Sequence, residues 1–130
     1  MKIILKTSKV TLEGVLNNSQ TALKIHEKLP LEAKANTWGE EIYFEIPLSL
    51  KPENATLDVE VGDIAYWPEG DCLCIFFGRT PVSINHKPRP ASKVNIVGKV
   101  VDDISILKNI KSGDKITVMK KNAENQNKEI

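Results

Sequence analysis

A succession of short stretches with β-strand character, separated by turn signals, constrains the fold more than any other feature of this sequence. In the stretch from Ile42 to Ile46 apolar and polar residues alternate, which is typical of a strand with one buried face. The stretch from Cys72 to Phe77 is apolar throughout, which is typical of a strand buried on both faces. About eight such strands are predicted along the chain, together with two helices. This pattern indicates a mainly β protein, either a closed barrel or a sandwich, and periodicity alone does not choose between them.

Two helices interrupt the strands. Asn17 to Ser19 supplies N-cap chemistry, and Ala22, Ile25 and Leu29 fall on one helical face before Pro30 ends the segment. Asp102 and Asp103 open the second predicted helix, which ends before Gly113. A further strand is predicted from the alternation of Leu57, Val59 and Val61.

The composition restricts the function classes. The chain has 130 residues and a formal net charge of +1, which gives no broad basic surface for nucleic acid. No apolar stretch approaches the length of a membrane span. Cys72 and Cys74 lie two residues apart, so a strand would place them on one face, where a disulfide between them is geometrically unfavourable. We therefore expect two reduced structural cysteines in a cytoplasmic protein.

Several motifs carry a resemblance to a known family. Val94 to Ile110 resembles the V-x-G-K-V-V segment of cyclophilins, and the stretches Ile42 to Pro47 and Leu73 to Phe77 resemble two of their strands. Asn36 to Phe44 and Gly62 to Pro68 resemble, more closely, small cyclophilin-like proteins of archaea and thermophilic bacteria. The resemblance implies a closed eight-stranded β-barrel with two short helices over residues 1–121. The polar residues 122–130 are expected to form a flexible tail. It implies no specific activity.

The residues that make cyclophilins prolyl isomerases are replaced in this chain. The resemblance places Phe44 at the position of the arginine that donates a hydrogen bond, Ile75 at the glutamine and Val94 at the histidine. None of these three side chains has a hydrogen-bond donor. A weak isomerase would therefore need Arg79 or Arg89 to turn inward.

An aromatic cleft is the expected functional site. Strand alternation puts Glu41 and Tyr43 on one face and Ile42 and Phe44 on the other. Ligand pockets are mostly apolar with a few convergent polar groups. The predicted ligand-binding residues are Thr37, Trp38, Glu41, Tyr43, Tyr66, Phe76 and Phe77. The alternative for Trp38 is an ordinary core tryptophan whose N–H is satisfied locally.

Three functions stay open from the sequence. The first is a module that binds a peptide or a small planar ligand, and the second is a weak or atypical prolyl isomerase. The third is a small-molecule enzyme, for which Glu41 and His86 are the plausible titratable pair, because Glu40 points to the opposite face. No cofactor or metal is expected, and no oligomeric state is predicted.

Overall fold

Strands are the main regular secondary structure of the described chain. The computed structural model describes residues 1–121, so the predicted tail over residues 122–130 lies outside the described residues. Within residues 1–121, nine strands form one sheet in the order β3-β9-β1-β2-β8-β6-β7-β5-β4, with antiparallel pairing throughout. The strands are β1 (Lys2–Lys6), β2 (Thr11–Leu16), β3 (Leu31–Lys34), β4 (Asn36–Thr37), β5 (Glu41–Glu45), β6 (Asp63–Trp67), β7 (Cys72–Phe76), β8 (Asn95–Val100) and β9 (Lys115–Lys120).

The predicted count of eight strands is wrong, because the described residues form nine. In the stretch from residue 31 to residue 36 apolar and polar residues alternate, but it forms two strands: it pairs first with β9, as β3, and then with β5, as β4. Ala35 lies between these segments, and its N–H donates to the carbonyl of Asp114 instead of to a neighbouring strand. The two edge strands of the sheet are therefore consecutive in the chain, and the sheet is a nearly closed barrel.

The barrel interior holds the main hydrophobic core. Alternate residues of each strand point into it, including Ile42 and Phe44 of β5 and Leu73 and Ile75 of β7. At Gly98 on β8, a Cβ would meet the backbone carbonyl of Val15 on β2, so the Gly98–Lys99 motif marks a close approach of two strands. The core therefore lies on one face of β5, β6 and β7. The other face of these strands points away from the barrel interior.

Two irregular segments, residues 57–61 and 90–94, pack on that outer face. The stretch from residue 57 to residue 61, predicted as a strand, forms none, and Thr56 next to it makes an isolated bridge to Val94. Val59 is nevertheless fully buried in a second, smaller apolar cluster. The other members of this cluster are Ala65, Cys72, Cys74, Phe76 and Val94, with Tyr43, Trp67 and Ile96 packed against it.

The first helix forms as the sequence predicts, and the second is a tighter turn. Helix α1 runs over Gln20–Lys28, and the Ser19 side chain accepts a hydrogen bond from the N–H of Ala22 at its start. The predicted second helix is a short 3₁₀ helix over Ile104–Asn109, capped by Asp103. Within residues 1–121, no helix is long and apolar enough to cross a bilayer.

Candidate functional site

A cavity of about 280 Å³ lies on the outer face of the sheet, beside the second apolar cluster. Strands β5, β6 and β7 form one wall, and the segment that leads into β8 forms the other. The lining residues are Trp38, Glu41, Tyr43, Trp67, Cys74, Pro90, Ala91 and Val94. Most of this lining is apolar or aromatic, which is typical of small-molecule sites.

The tight turn between β4 and β5 positions Trp38 at the cavity. The Trp38 N–H donates to the Glu41 carbonyl at 2.9 Å, and the Glu41 N–H donates back to the Trp38 carbonyl at 3.2 Å. Gly39 has a φ of +60°, and a Cβ there would approach the Arg79 carbonyl to 2.9 Å. Glycine is required at this position both by its left-handed backbone and by the lack of space.

A hydrogen-bonded chain fixes Trp67, the last residue of β6, at the cavity. Its indole Nε1 donates to the Ser92 hydroxyl at 2.6 Å, and Ser92 donates to the Glu69 carboxylate at 2.9 Å. Because Ser92 belongs to the covering segment, this chain joins that segment to the sheet. The cavity is therefore bounded by two indole rings held by different elements.

Among the described residues, Glu41 is the one carboxylic acid of the cavity lining. Its side chain is 5% exposed, and Oε1 has no hydrogen-bond partner among the described residues. Burial raises the pKa of Glu41 from its ordinary 4.5 to about 7, and the neighbouring Cys74 thiol counteracts this only in part. No lysine, arginine or histidine of residues 1–121 lines the cavity. A buried polar atom without a partner costs stability, so it requires an explanation.

The two cysteines share one face of β7, as predicted, and both are buried free thiols. That face is the cavity side of the strand. Burial, with the adjacent Glu41 carboxylate, raises the pKa of Cys74 well above its ordinary value, and burial raises that of Cys72 to about 11. The nucleophilic and metal-binding form of cysteine is the thiolate. Both side chains are therefore neutral near pH 7 and act here as packing residues.

The structure brings three of the predicted site residues together: Trp38, Glu41 and Tyr43 all line the cavity. The predicted division of β5 is also confirmed, because Ile42 and Phe44 lie in the barrel core on the opposite face.

Tyr66 lies on the wrong face for the predicted cleft. Its ring is fully buried in the barrel core, and its hydroxyl accepts from the Leu50 N–H at 2.9 Å and lies 3.0 Å from the Leu48 carbonyl and 3.1 Å from the Asp71 carboxylate. The expectation that Tyr66 shares a cavity with Tyr43 is therefore wrong. The neighbouring Trp67 lines the cavity with Tyr43 instead.

The remaining predicted residues lie outside the cavity lining. Phe77 packs against the barrel core, so it is not part of the cleft expected from the sequence. Phe76 is fully buried in the second apolar cluster. Thr37 is exposed, and its N–H donates to the Ser112 hydroxyl at 3.1 Å. Whether any of them contacts a ligand stays a prediction.

Sequence reasoning missed Trp67, Cys74, Pro90, Ala91 and Val94 as cavity residues. The register of β5 on β7 identifies Cys74, because Tyr43 pairs with it and both side chains therefore share a face. Nothing in the sequence pattern indicates that Pro90 and Ala91 fold over this face.

The positions assigned by resemblance to isomerase residues do not converge on the cavity. Phe44 and Ile75 point into the barrel, and only Val94 lines the cavity. Arg79 is exposed and donates to the Ser83 carbonyl at 3.3 Å, and Arg89 lines a separate surface hollow.

The pair of Glu41 and His86 that the small-molecule enzyme alternative would need does not form in the structure. His86 is exposed and absent from the cavity lining. The titratable neighbours of Glu41 in the lining are instead Tyr43 and Cys74.

Comparison with known proteins agrees with this architecture. The model of a family described as cyclophilin-like matches residues 1–119. A solved structure, that of the hypothetical protein AF2241 from Archaeoglobus fulgidus, is 34% identical, with a TM-score of 0.80, over 93% of this chain and 95% of that chain. Curated proteins give no significant match. The chain therefore belongs to the cyclophilin-like family.

Proposed function

We propose that this protein binds a small planar ligand in the cavity between Trp38 and Trp67, and that the ligand donates a hydrogen bond to Glu41. The observation that supports the proposal most is the buried Glu41 carboxyl, whose Oε1 has no partner among the described residues. A ligand with an N–H or O–H group would satisfy it.

The aromatic walls favour a planar ligand. Trp38, Tyr43 and Trp67 present extended ring surfaces, on which flat molecules gain both apolar burial and stacking. At about 280 Å³ the cavity is slightly smaller than most ligand sites, which span ~300–1,000 Å³. It is therefore suited to a single ring system, or to one planar side chain of a peptide.

Among the described residues, no cationic group lines the cavity. This favours a ligand that is neutral or that donates a hydrogen bond. An anionic ligand would face the Glu41 carboxyl with no counter-charge from the lining. We also propose a cytoplasmic location, because reducing compartments keep free thiols such as Cys72 and Cys74 unpaired.

Intrinsic fluorescence tests this proposal directly, because both tryptophans of the protein lie in the cavity wall. The probes are benzamide, which is planar with an amide donor, cyclohexanecarboxamide, which has the donor without the flat ring, and benzoate, which is flat but anionic. We expect a saturable change in emission with benzamide, with a dissociation constant of roughly 1 mM, as befits a fragment. The other two probes should bind at least tenfold more weakly.

Two variants locate the binding. Trp38→Ala should stay folded and bind benzamide at least tenfold more weakly, with Trp67 as the remaining reporter. Leu23→Ala, on the exposed side of α1, should bind as the unmodified protein does. Equal affinity for benzamide and cyclohexanecarboxamide, or no saturable signal with any probe, would contradict the proposal.

A further inference from the structure

We propose that Glu41 is a general base that removes a proton from the bound planar ligand, so that the cavity is a site of proton transfer and not of binding alone. This inference rests on the proposed ligand-binding function and adds a reaction to it.

The geometry gives Glu41 the fixed, desolvated position that a base requires. Its backbone is held in β5, opposite Phe76 of β7, and by the tight turn to Trp38. Its side chain is 5% exposed, and the described residues provide no ion pair for its carboxylate. A carboxylate without water or a counter-ion is more reactive toward a proton than a solvated one.

Among the described residues, no group that faces Glu41 carries a positive charge that would stabilise its carboxylate. Cys74 and Cys72 approach it from β7, and Tyr43 lies two residues away on its own strand. The other walls contribute Trp38, Trp67, Pro90, Ala91 and Val94, which are uncharged. The resulting pKa of about 7 is close to that of an efficient base at neutral pH.

The neighbouring side chains support proton transfer better than nucleophilic attack. Cys74 is a neutral thiol because the pKa of its side chain lies well above the ordinary value. The Trp38 indole and the Tyr43 hydroxyl are donors that can stabilise negative charge developing on a substrate. A carbon acid whose C–H lies next to a carbonyl or imine fits this set.

The reaction needs no co-reactant. Glu41 takes the proton, the C–H electron pair moves into the conjugated system of the substrate, and the same carboxylic acid returns the proton to another atom. Atoms and electrons balance in this isomerisation, and the carboxylate is regenerated.

The probe reaction is the ring opening of 5-nitrobenzisoxazole, a planar heterocycle. A base removes its ring C–H proton, the C–H electron pair completes a nitrile, and the N–O bond breaks to leave a coloured nitrophenolate. Binding is followed separately, through quenching of the two tryptophans by the nitroaromatic ring.

We expect saturable turnover that falls at least 100-fold in Glu41→Gln, while this variant still binds the probe. Glu45→Gln removes an exposed carboxylate from the same strand and should keep the full rate. In the unmodified protein the rate should fall about 100-fold between pH 9 and pH 5, because a carboxyl with a pKa of about 7 is then almost fully protonated. This profile tests the proposal even if Glu41→Gln fails to fold.

The base role of Glu41 and the binding function of the cavity fail in different ways. Probe binding without turnover, or turnover that is equal in Glu41→Gln, would overturn the role of Glu41 as a base and leave the binding function standing. Absence of probe binding and turnover while benzamide still binds would overturn only the role of Glu41 as a base, and absence of binding by both molecules would overturn the two proposals together.

Discussion

At the scale of single residues, Glu41 is the feature that packing alone does not explain. A carboxyl whose pKa is raised from 4.5 to about 7 destabilises the folded protein by about 3 kcal/mol once it is ionised. A glutamine or an apolar residue would avoid that cost at the same position. Perturbed groups in clefts mark functional sites more often than structural ones.

The same residue predicts how stability depends on pH. Because the folded state holds the Glu41 proton more tightly than the unfolded chain does, this carboxyl lowers stability as the pH rises from about 4.5 through about 7. Glu41→Gln removes the titration. We expect the variant to match the unmodified protein at pH 5 and to gain about 1–3 kcal/mol in free energy of unfolding at pH 8.5.

Urea unfolding at the two pH values measures this difference, with Glu45→Gln as the exposed control on the same strand. A Glu41→Gln protein that is less stable than the unmodified one at pH 8.5 would show that the carboxylate has a stabilising partner.

At the scale of elements, strand alternation could be read from the sequence only where polar residues mark one face. In β5, Glu41 and Glu45 identify the outer face, so the division between Tyr43 and Phe44 was predictable. In β6, Ile64 to Trp67 is uniformly apolar, because the barrel core covers one face and the second cluster covers the other. The sequence therefore gives no sign that Tyr66 points inward and Trp67 outward.

Tyr66→Phe tests this assignment. It removes a hydroxyl that accepts from the Leu50 N–H, so it should cost about 1–2 kcal/mol of stability. Because Tyr66 lies in the barrel core, benzamide affinity should change less than twofold. Thermal unfolding and the fluorescence titration measure the two effects. Weakened binding with unchanged stability would contradict this assignment and indicate that Tyr66 contacts the ligand.

At the scale of the whole molecule, the barrel was predictable by resemblance, but its covering segments were not. Leu57, Val59 and Val61 alternate as a strand would, yet the segment only packs Val59 into the second cluster and leaves the other two partly exposed. Polar contacts also hold this segment without strand pairing, because the Glu60 N–H donates to the Asp63 carboxylate and Lys87 pairs with Asp58 and Glu60. The division of β3 from β4 at Ala35 likewise depends on tertiary contacts with Asp114.

The architecture also predicts weak prolyl isomerase activity. Neither arginine of the chain reaches the cavity, and Phe44 and Ile75 are enclosed in the barrel. We expect a catalytic efficiency at least 100-fold below that of an ordinary cyclophilin measured alongside, in a protease-coupled assay on a proline tetrapeptide. Comparable efficiency would mean that the cavity wall supplies a donor in place of arginine.

The central claim is that the cavity between Trp38 and Trp67 is the ligand site. A ¹H–¹⁵N spectrum of this protein contains two indole signals, one for each tryptophan. A benzamide titration therefore follows the surroundings of both indole rings at once. We predict that both signals move and saturate with one dissociation constant, and that Glu41→Gln changes that constant. Saturable shifts elsewhere, with both indole signals unmoved, would contradict the account.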